Sequence, residues 1–238
     1  MPNVMKKKSL IIRVLRKINH IFFGKPRFKQ ELLIRKALVE KGFRIRKLKI
    51  ICDHNLGINY VNGIKLGIKY PDSFYNEAIK LIPKKKPYEF FFNGNMAESG
   101  RRSLLLKPFK NLPNTIIISS NEGRIQSKKD QFNIEYFSEL AKSKFGLCPH
   151  QIDWIGDKEF MWTYRFIECC FVEAIPILFK DAPLGESFIN GFNYMWDYQL
   201  FDLNKSSDLS CADSENNRLL AKQKFCLTEE ECKLINAT

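Results

Sequence analysis

Short apolar segments alternate with helical patterns through residues 88–179, and this alternation limits the fold more than any other feature of the chain. The predicted strands cover 88–92, 115–119, 145–148 and 175–179, and the predicted helices cover 101–109, 133–143 and 163–172. Strands that alternate with helices form β-α-β units, because a parallel neighbour requires a crossover connection that a helix supplies. The sequence therefore predicts an α/β fold with a Rossmann-like parallel sheet and helices on both faces.

The chain before residue 88 follows a less regular pattern. The predicted elements are a helix at 29–41 ending at Gly42, a strand at 46–52, loops and turns over 53–71, and a helix at 73–82 capped by Asp72 or Ser73 and stopped by Pro83. We therefore predict a shortened α/β region over 1–85, the Rossmann-like domain over 86–205, and a helical tail over 206–238. A loose loop is expected where KSSDLSCADSENN begins that tail.

Positive charge is confined to one end of the chain. Residues 1–50 hold sixteen Lys/Arg and two Glu, a net charge of +14, while residues 51–238 hold twenty-three basic and twenty-four acidic residues. A protein that binds nucleic acid over its whole surface carries a more widely spread basic charge. The distribution therefore argues against a general nucleic-acid binder.

Residues 5–23 have the pattern of a basic amphipathic helix. Their apolar residues recur at helical spacing, and Arg13, Arg16 and Lys17 lie largely opposite. Such a helix either contacts an anionic membrane surface or packs on its own domain, and the pattern alone leaves both alternatives open. The same charges interrupt the apolar run, so we expect neither a membrane-spanning helix nor a signal peptide here.

The chain contains seven cysteines, an odd number, and no C-x-x-C pair or zinc-like Cys/His spacing. This usage is typical of a reducing compartment, where disulfide frameworks are rare. We therefore expect a cytoplasmic protein with no bound metal. Peripheral contact with an anionic membrane through residues 5–23 is the alternative to packing of that helix on its own domain.

Three loops follow predicted strands, at the sheet edge where open parallel sheets bind ligands. The first contains Asn93 and Gly94 and leads to Arg101 and Arg102, whose guanidinium groups match phosphate oxygens. The second, CPHQIDWIGDKEFMW, contains His150 and several aromatic residues suited to a base or sugar. These residues are candidate ligand contacts, although each pattern also fits an ordinary surface loop.

The third loop leads into a helix with Arg165 and Glu168 three residues apart, on one face. Taken alone, that spacing fits a weak salt bridge within the helix. Residues 163–178, TYRFIECCFVEAIPIL, resemble the exostosin-type glycosyltransferases (glycosyltransferase family 47), whose motif runs roughly S-x-R-L-x-E-A-x-x-x-G-C-V-P-V-I. The segment SKFGLCP is similar to that family's S-K-F-C-L-x-P, and the loop beginning at Phe91 is similar to its F-F-x-G…R segment.

The resemblance implies a GT-B fold in which this part of the chain is the C-terminal, donor-binding domain. It implies that Glu168 contacts donor hydroxyls and that Arg165, with Arg101 or Arg102, binds the diphosphate. It also implies an inverting, metal-independent transfer from a nucleotide sugar to a glycan or glycolipid in polysaccharide biosynthesis, with no cofactor beyond the donor. No D-x-D triplet occurs in the chain.

The departures of the sequence from the family pattern include Cys169, Glu173 and the length of the chain. Cys169 replaces an alanine, and Glu173 replaces a glycine that allows a tight turn into the next strand. The region that would bind the acceptor, residues 1–85, is short, and Asp53 or His54 is its candidate general base. A non-catalytic module that binds nucleotide sugars is therefore the alternative function.

Overall fold

The structure is a computed structural model that describes residues 29–94, 96, 101–119, 132–149, 162–179, 184–195 and 211–238. The helices are α1 (Lys29–Glu40), α2 (Asp72–Lys80), α3 (Arg101–Leu106), α4 (Ile134–Ala141), α5 (Tyr164–Phe171), α6 (Glu186–Ile189), α7 (Cys211–Phe225) and α8 (Glu229–Asn236). The strands are β1 (Ile50–Asp53), β2 (Ile58–Val61), β3 (Ile64–Leu66), β4 (Tyr88–Gly94), β5 (Thr115–Ser119), β6 (Ser143–Leu147) and β7 (Ile175–Ile177).

Strands β4 to β7 form a parallel sheet in the order β5-β4-β6-β7. Their first and last residues agree with the predicted strands to within two positions. The α/β class and the parallel sheet are therefore confirmed, and the arrangement is consistent with the Rossmann-like prediction.

Side chains alternate across β4, so the strand supplies a core to each face of the sheet. Phe90 and Phe92 pack in a cluster with Leu105 and Leu106 of α3, while Phe91 packs in a second cluster with α4 and α5. Helices thus cover both faces, as the alternation of elements predicts. This double cover explains why the strands are nearly continuous apolar runs.

The second cluster also crosses the predicted boundary at residue 85. Leu33 of α1, Phe74 of α2 and Phe225 of α7 belong to the same buried cluster as Phe166 and Phe171 of α5. The N-terminal region and the C-terminal tail therefore share one core with the parallel sheet. α5 lies at the centre of this shared core.

Residues 53–71 contain two strands, so the prediction of loops and turns there is wrong. Strands β1, β2 and β3 form an antiparallel sheet, here called the meander, which packs against α1 and α8 through a third apolar cluster. Asn62 and Gly63 join β2 to β3 with positive φ values of 51° and 87°. Two adjacent residues of this kind suit a tight hairpin turn, so Asn-Gly marked a hairpin and not a loop.

Several other boundaries differ from the predictions. A 3-10 turn at Ile45–Lys47 precedes β1, so the strand begins at Ile50 and not at residue 46. Pro71 occupies the N-cap of α2, ahead of Asp72 and Ser73. Helix α7 begins at Cys211 and includes the ADSENN segment predicted as loop.

None of the helices in the described ranges is long and apolar enough to cross a membrane. The predicted amphipathic helix at 5–23 lies outside those ranges.

Candidate functional site

The strand order reverses direction between β4 and β6. The chain leaves β4 for β5 on one side and then returns to place β6 on the other side of β4. In open parallel sheets, the crevice at the carboxyl ends of two such strands is where ligands bind. The residues at that edge are Asn93 and Gly94 of β4 and those that follow Leu147 in β6.

Arg165 reaches this edge from the first turn of α5. Its Nη2 donates a 2.6 Å hydrogen bond to the carbonyl oxygen of Asn93, and its Cζ lies 4.2 Å from the ring centroid of Phe92. The absence of a side chain at Gly94 makes this approach feasible, since a Cβ there would lie 2.5 Å from Arg165 Nη2. The Nε atom of Arg165 is buried and has no hydrogen-bond partner among the described residues.

Arg102 approaches the same edge from α3, on the other face of the sheet. Its Nε donates a 3.1 Å hydrogen bond to the carbonyl oxygen of Pro149, two residues beyond the end of β6. Two guanidinium groups are therefore fixed to the ends of adjacent parallel strands. Arg101 begins α3, but its side chain lies outside the description.

Trp162 connects the turn after β1 to the start of α5. Its Nε1 donates a 3.3 Å hydrogen bond to the carbonyl oxygen of His54, and the two rings meet edge to face with centroids 5.5 Å apart. Gly57, in the same turn, has a φ of +65°, and a Cβ there would lie 2.8 Å from the indole. His54 is thus held against Trp162, which lies three residues ahead of Arg165 at the start of α5.

Asp53 ends β1 and caps the turn that contains His54. Its Oδ1 accepts hydrogen bonds from the backbone N–H groups of Asn55 and Leu56, at 3.0 and 3.1 Å. This arrangement is an Asx turn, and it orients the loop through backbone contacts.

Glu168 lies one turn further along α5 than Arg165 and is 5% exposed. Its Oε1 accepts hydrogen bonds from Lys29 Nζ at 2.7 Å and from the Tyr70 hydroxyl at 2.9 Å. Its Oε2 accepts a hydrogen bond from the Tyr136 hydroxyl at 2.9 Å. The carboxylate therefore connects α5 with α1, with α4 and with Tyr70, which lies four residues beyond β3.

The electrostatics of this network keep Glu168 ionised. Burial by itself raises the pKa of the Glu168 carboxyl, but the Lys29 ammonium and the two phenol donors outweigh burial and lower that pKa overall. Burial, reinforced by the neighbouring carboxylate, raises the pKa of both Tyr70 and Tyr136 well above the ordinary phenol value. Both phenols are therefore hydrogen-bond donors at neutral pH.

The structure brings together part of the predicted site. Asn93, Gly94, Arg102 and Arg165 meet at the carboxyl edge, and Trp162 ties the Asp53–His54 turn to the start of α5. Glu168 is directed into the core network. His150 lies outside the described residues.

Sequence reasoning missed the partners of Glu168. Lys29 is 139 residues away in the chain, and Tyr70 is 98 residues away, in a segment predicted to be loop. No local spacing links such residues, so only the fold brings them together. The Tyr136 contact spans 32 residues and has the same cause.

Glu173 lies at the other end of α5 and makes an ion pair. Its φ is +58°, a left-handed conformation that favours glycine, so the backbone turns here although glutamate replaces the glycine of the family pattern. Its Oε1 lies 2.7 Å from Arg218 Nε, and Arg218 also donates to the Tyr75 hydroxyl at 2.9 Å. The Glu173 side chain therefore attaches α7 to the core.

No group of three or more His, Cys, Asp or Glu side chains suited to a metal ion occurs within the described ranges.

No model of a known protein family matches the chain, and no curated protein matches its sequence.

Proposed function

We propose that this protein is a glycosyltransferase that binds a nucleotide sugar at the carboxyl edge of its parallel sheet and transfers the sugar to a glycan or glycolipid. The observation that carries the proposal is the pair of guanidinium groups of Arg165 and Arg102 at the ends of β4 and β6. The resemblance of residues 163–178 to the exostosin-type pattern supports the same class of reaction.

The chemistry of this edge suits a nucleoside diphosphate. Arginine offers planar N–H donors that match phosphate oxygens, and a positive charge stabilises the diphosphate as it leaves. Arg165 uses Nη2 to donate a hydrogen bond to the Asn93 carbonyl, and its Nε has no partner among the described residues. The guanidinium group therefore retains N–H groups that could bind phosphate. Gly94 keeps the space beside this guanidinium free of a side chain.

Inverting transfer proceeds by one displacement, in which a general base takes the proton of the acceptor hydroxyl. His54 is the base that we assign to this step, because its turn lies against Trp162 at the start of α5. Asp53 would act as a positioning residue, since its Oδ1 already accepts two backbone N–H groups.

The predicted contact between Glu168 and the donor hydroxyls stays a prediction. Oε2 accepts one hydrogen bond from the described residues, and a carboxylate oxygen has room for two. A GT-B arrangement with an abbreviated acceptor side is likewise part of the proposal.

Donor binding is tested by thermal unfolding with uridine and guanosine diphosphates and their sugar conjugates. We expect one nucleotide to raise the unfolding temperature, since a ligand at about 100 times its Kd stabilises by about 2.7 kcal/mol. Arg165→Met should abolish the shift. Arg44→Met is the control, because the Arg44 side chain is exposed and precedes the 3-10 turn at Ile45–Lys47. No shift with any of these nucleotides would contradict the proposal.

Transfer is tested separately, with radiolabelled donor and a panel of glycan and glycolipid acceptors. His54→Gln should lower the transfer rate by at least about a hundredfold, the usual contribution of a general base, and leave nucleotide binding unchanged. An equal loss of binding would show that His54 only supports the fold.

The second candidate function is a non-catalytic module that binds nucleotide sugars. The observation that favours it is the engagement of Asp53 in its own turn, which leaves one candidate base instead of two. Nucleotide binding without hydrolysis or transfer, across the whole acceptor panel, would select this candidate.

A further inference from the structure

The meander presents one face that no described element covers. Its inner face packs against α1 and α8 through residues such as Val61 and Leu66. On the other face, the strand register aligns Ile51, Tyr60 and Lys65 in one row, because residues directly opposite in an antiparallel sheet share a face. Ile51 is 51% exposed and Lys65 is exposed.

The chain that leads into this face is strongly basic. Residues 41–49 hold five Lys/Arg and no acidic residue, and the side chains of Arg44, Arg46, Lys47 and Lys49 are exposed. Lys49 lies on the same face as Ile51, since the register places it opposite Asn62. Asp53 follows Ile51 on the same face of β1, and its Oδ1 accepts two backbone N–H groups.

We propose that this surface, formed by Arg46, Lys47, Lys49, Ile51, Tyr60 and Lys65 and here called the basic face, binds an anionic membrane surface. Basic side chains near lipid phosphates are attracted electrostatically, and an exposed aliphatic and an aromatic side chain among them suit the boundary between headgroups and acyl chains. A soluble polyanion would bind the basic side chains but would make no apolar contact with the exposed Ile51. The proposal does not depend on sugar transfer.

The preceding part of the chain does not suit the basic face as an internal partner. Residues 1–28 hold eight Lys/Arg and no Asp or Glu. Like charges repel, so this segment cannot neutralise Lys47, Lys49 and Lys65. Its charge adds to the attraction of the whole region towards an anionic surface.

Sedimentation with vesicles of phosphatidylcholine, with and without 30% phosphatidylglycerol, tests the charge requirement with the full chain. We expect partitioning only with the anionic lipid, and weakening of that partitioning by salt because screening shortens the range of the interaction. The variant Lys47→Gln/Lys49→Gln should lower the partition coefficient about 25-fold, at about fivefold for each basic residue lost. The control variant, Lys84→Gln/Lys85→Gln, removes two exposed lysines before β4.

Equal partitioning by the Lys47/Lys49 variant and the Lys84/Lys85 variant would overturn the proposal. Circular dichroism and thermal unfolding of both variants show whether the fold is retained. These four side chains are exposed, so neither pair is expected to destabilise the protein.

Tryptophan substitutions test whether the basic face is the surface that contacts the membrane. Ile51→Trp should show an emission blue shift and quenching by brominated lipid on binding anionic vesicles. Leu104→Trp, at the 69% exposed position on α3, should show neither effect. The same response from both reporters would overturn the proposed orientation, and so would no response from Ile51→Trp.

A competition experiment separates a membrane from a soluble polyanion. The protein is offered single-stranded RNA or a sulfated glycan in the presence of anionic vesicles, and Ile51→Ser is compared with the parent. We expect the vesicles to retain the protein and Ile51→Ser to weaken that retention severalfold. Preferential binding of the soluble polymer, with no effect of Ile51→Ser, would overturn the membrane assignment.

Discussion

Arg165 and Glu168 lie one turn apart on α5, yet their side chains contact different parts of the protein. Arg165 donates to the Asn93 carbonyl at the edge of the parallel sheet, while Glu168 accepts from Lys29 on α1. Within the described ranges they form no ion pair with each other, although their spacing permits one. One helix thus positions a candidate ligand contact and also connects the N-terminal region to the core.

The approach of Arg165 to Gly94 predicts the effect of a single methyl group. Gly94→Ala should displace the guanidinium, because the new Cβ would lie 2.5 Å from Nη2. We expect the affinity for the nucleoside diphosphate to fall at least about tenfold, which corresponds to about 1.4 kcal/mol. Calorimetric titration measures this loss.

Gly67→Ala is the matched control, because nothing lies within 4 Å of a Cβ at that position. Unchanged nucleotide affinity in Gly94→Ala would show that Arg165 does not need its present position for binding.

The Lys29–Glu168 pair predicts a reversal in the pH dependence of stability. In the parent, the lowered pKa of Glu168 means that its contribution is present above the ordinary carboxyl pKa and is lost as pH falls below it. Lys29→Met removes the charge and the hydrogen bond that oppose burial most strongly, and we expect burial, the largest single cause, to outweigh the two phenol hydrogen bonds that remain and to raise that pKa. The free energy of unfolding of this variant should therefore decrease, relative to the parent, as pH rises from about 5 to about 8.

Removal of one partner of a fully buried ion pair costs about 3 kcal/mol or more, and because the Lys29 side chain is 30% exposed we expect a smaller loss of about 2 kcal/mol for Lys29→Met at neutral pH. Urea unfolding across the pH range measures both effects. Lys29→Met/Glu168→Gln should lose the extra pH dependence because no carboxylate remains. Parallel pH profiles for Lys29→Met and the parent would rule out the proposed coupling.

The contact between Gly146 and Cys169 predicts strong coupling in the core. A Cβ at Gly146 would collide with Cys169 Sγ, so Gly146→Ala should destabilise by about 2 kcal/mol through overpacking. The exostosin-type pattern has cysteine at the first position and alanine at the second, which exchanges the large and the small residue. Gly146→Cys/Cys169→Ala should therefore be more stable than Gly146→Cys alone, by at least about 1 kcal/mol.

Denaturant unfolding of the parent, Gly146→Cys, Cys169→Ala and Gly146→Cys/Cys169→Ala completes a double-mutant cycle for this pair. Additive effects would show that the two positions do not share a packing volume, and would weaken the resemblance as an explanation of this core.

The left-handed conformation of Glu173 predicts different stabilities for the glycine and alanine variants. Both substitutions remove the ion pair with Arg218, but only glycine relieves the positive φ of 58°. Because a left-handed non-glycine residue costs about 1 kcal/mol, Glu173→Gly should be more stable than Glu173→Ala by about that amount. Thermal unfolding measures the difference, and equal stability of the two variants would contradict it.

Much of the sheet could be predicted because its signals are local. Strands such as β5 are short apolar runs, and the helices between them repeat with helical spacing, so their bounds follow from adjacent residues. The meander had a local signal too, in Asn62-Gly63, although frequent glycine and asparagine obscured it. The sheet edge that Arg165 reaches could also be predicted, because the loops that follow parallel strands mark it.

The sequence by itself determined the alternating elements, the basic N-terminal end, and the arginines that follow the strands. The tertiary structure decided what the buried side chains do. Lys29 and Tyr70 reach Glu168 across 139 and 98 residues, and Arg218 reaches Glu173 across 45. Hydrogen bonds and ion pairs depend on distances of about 3 Å, and between residues so far apart in sequence only the packing of the helices sets those distances.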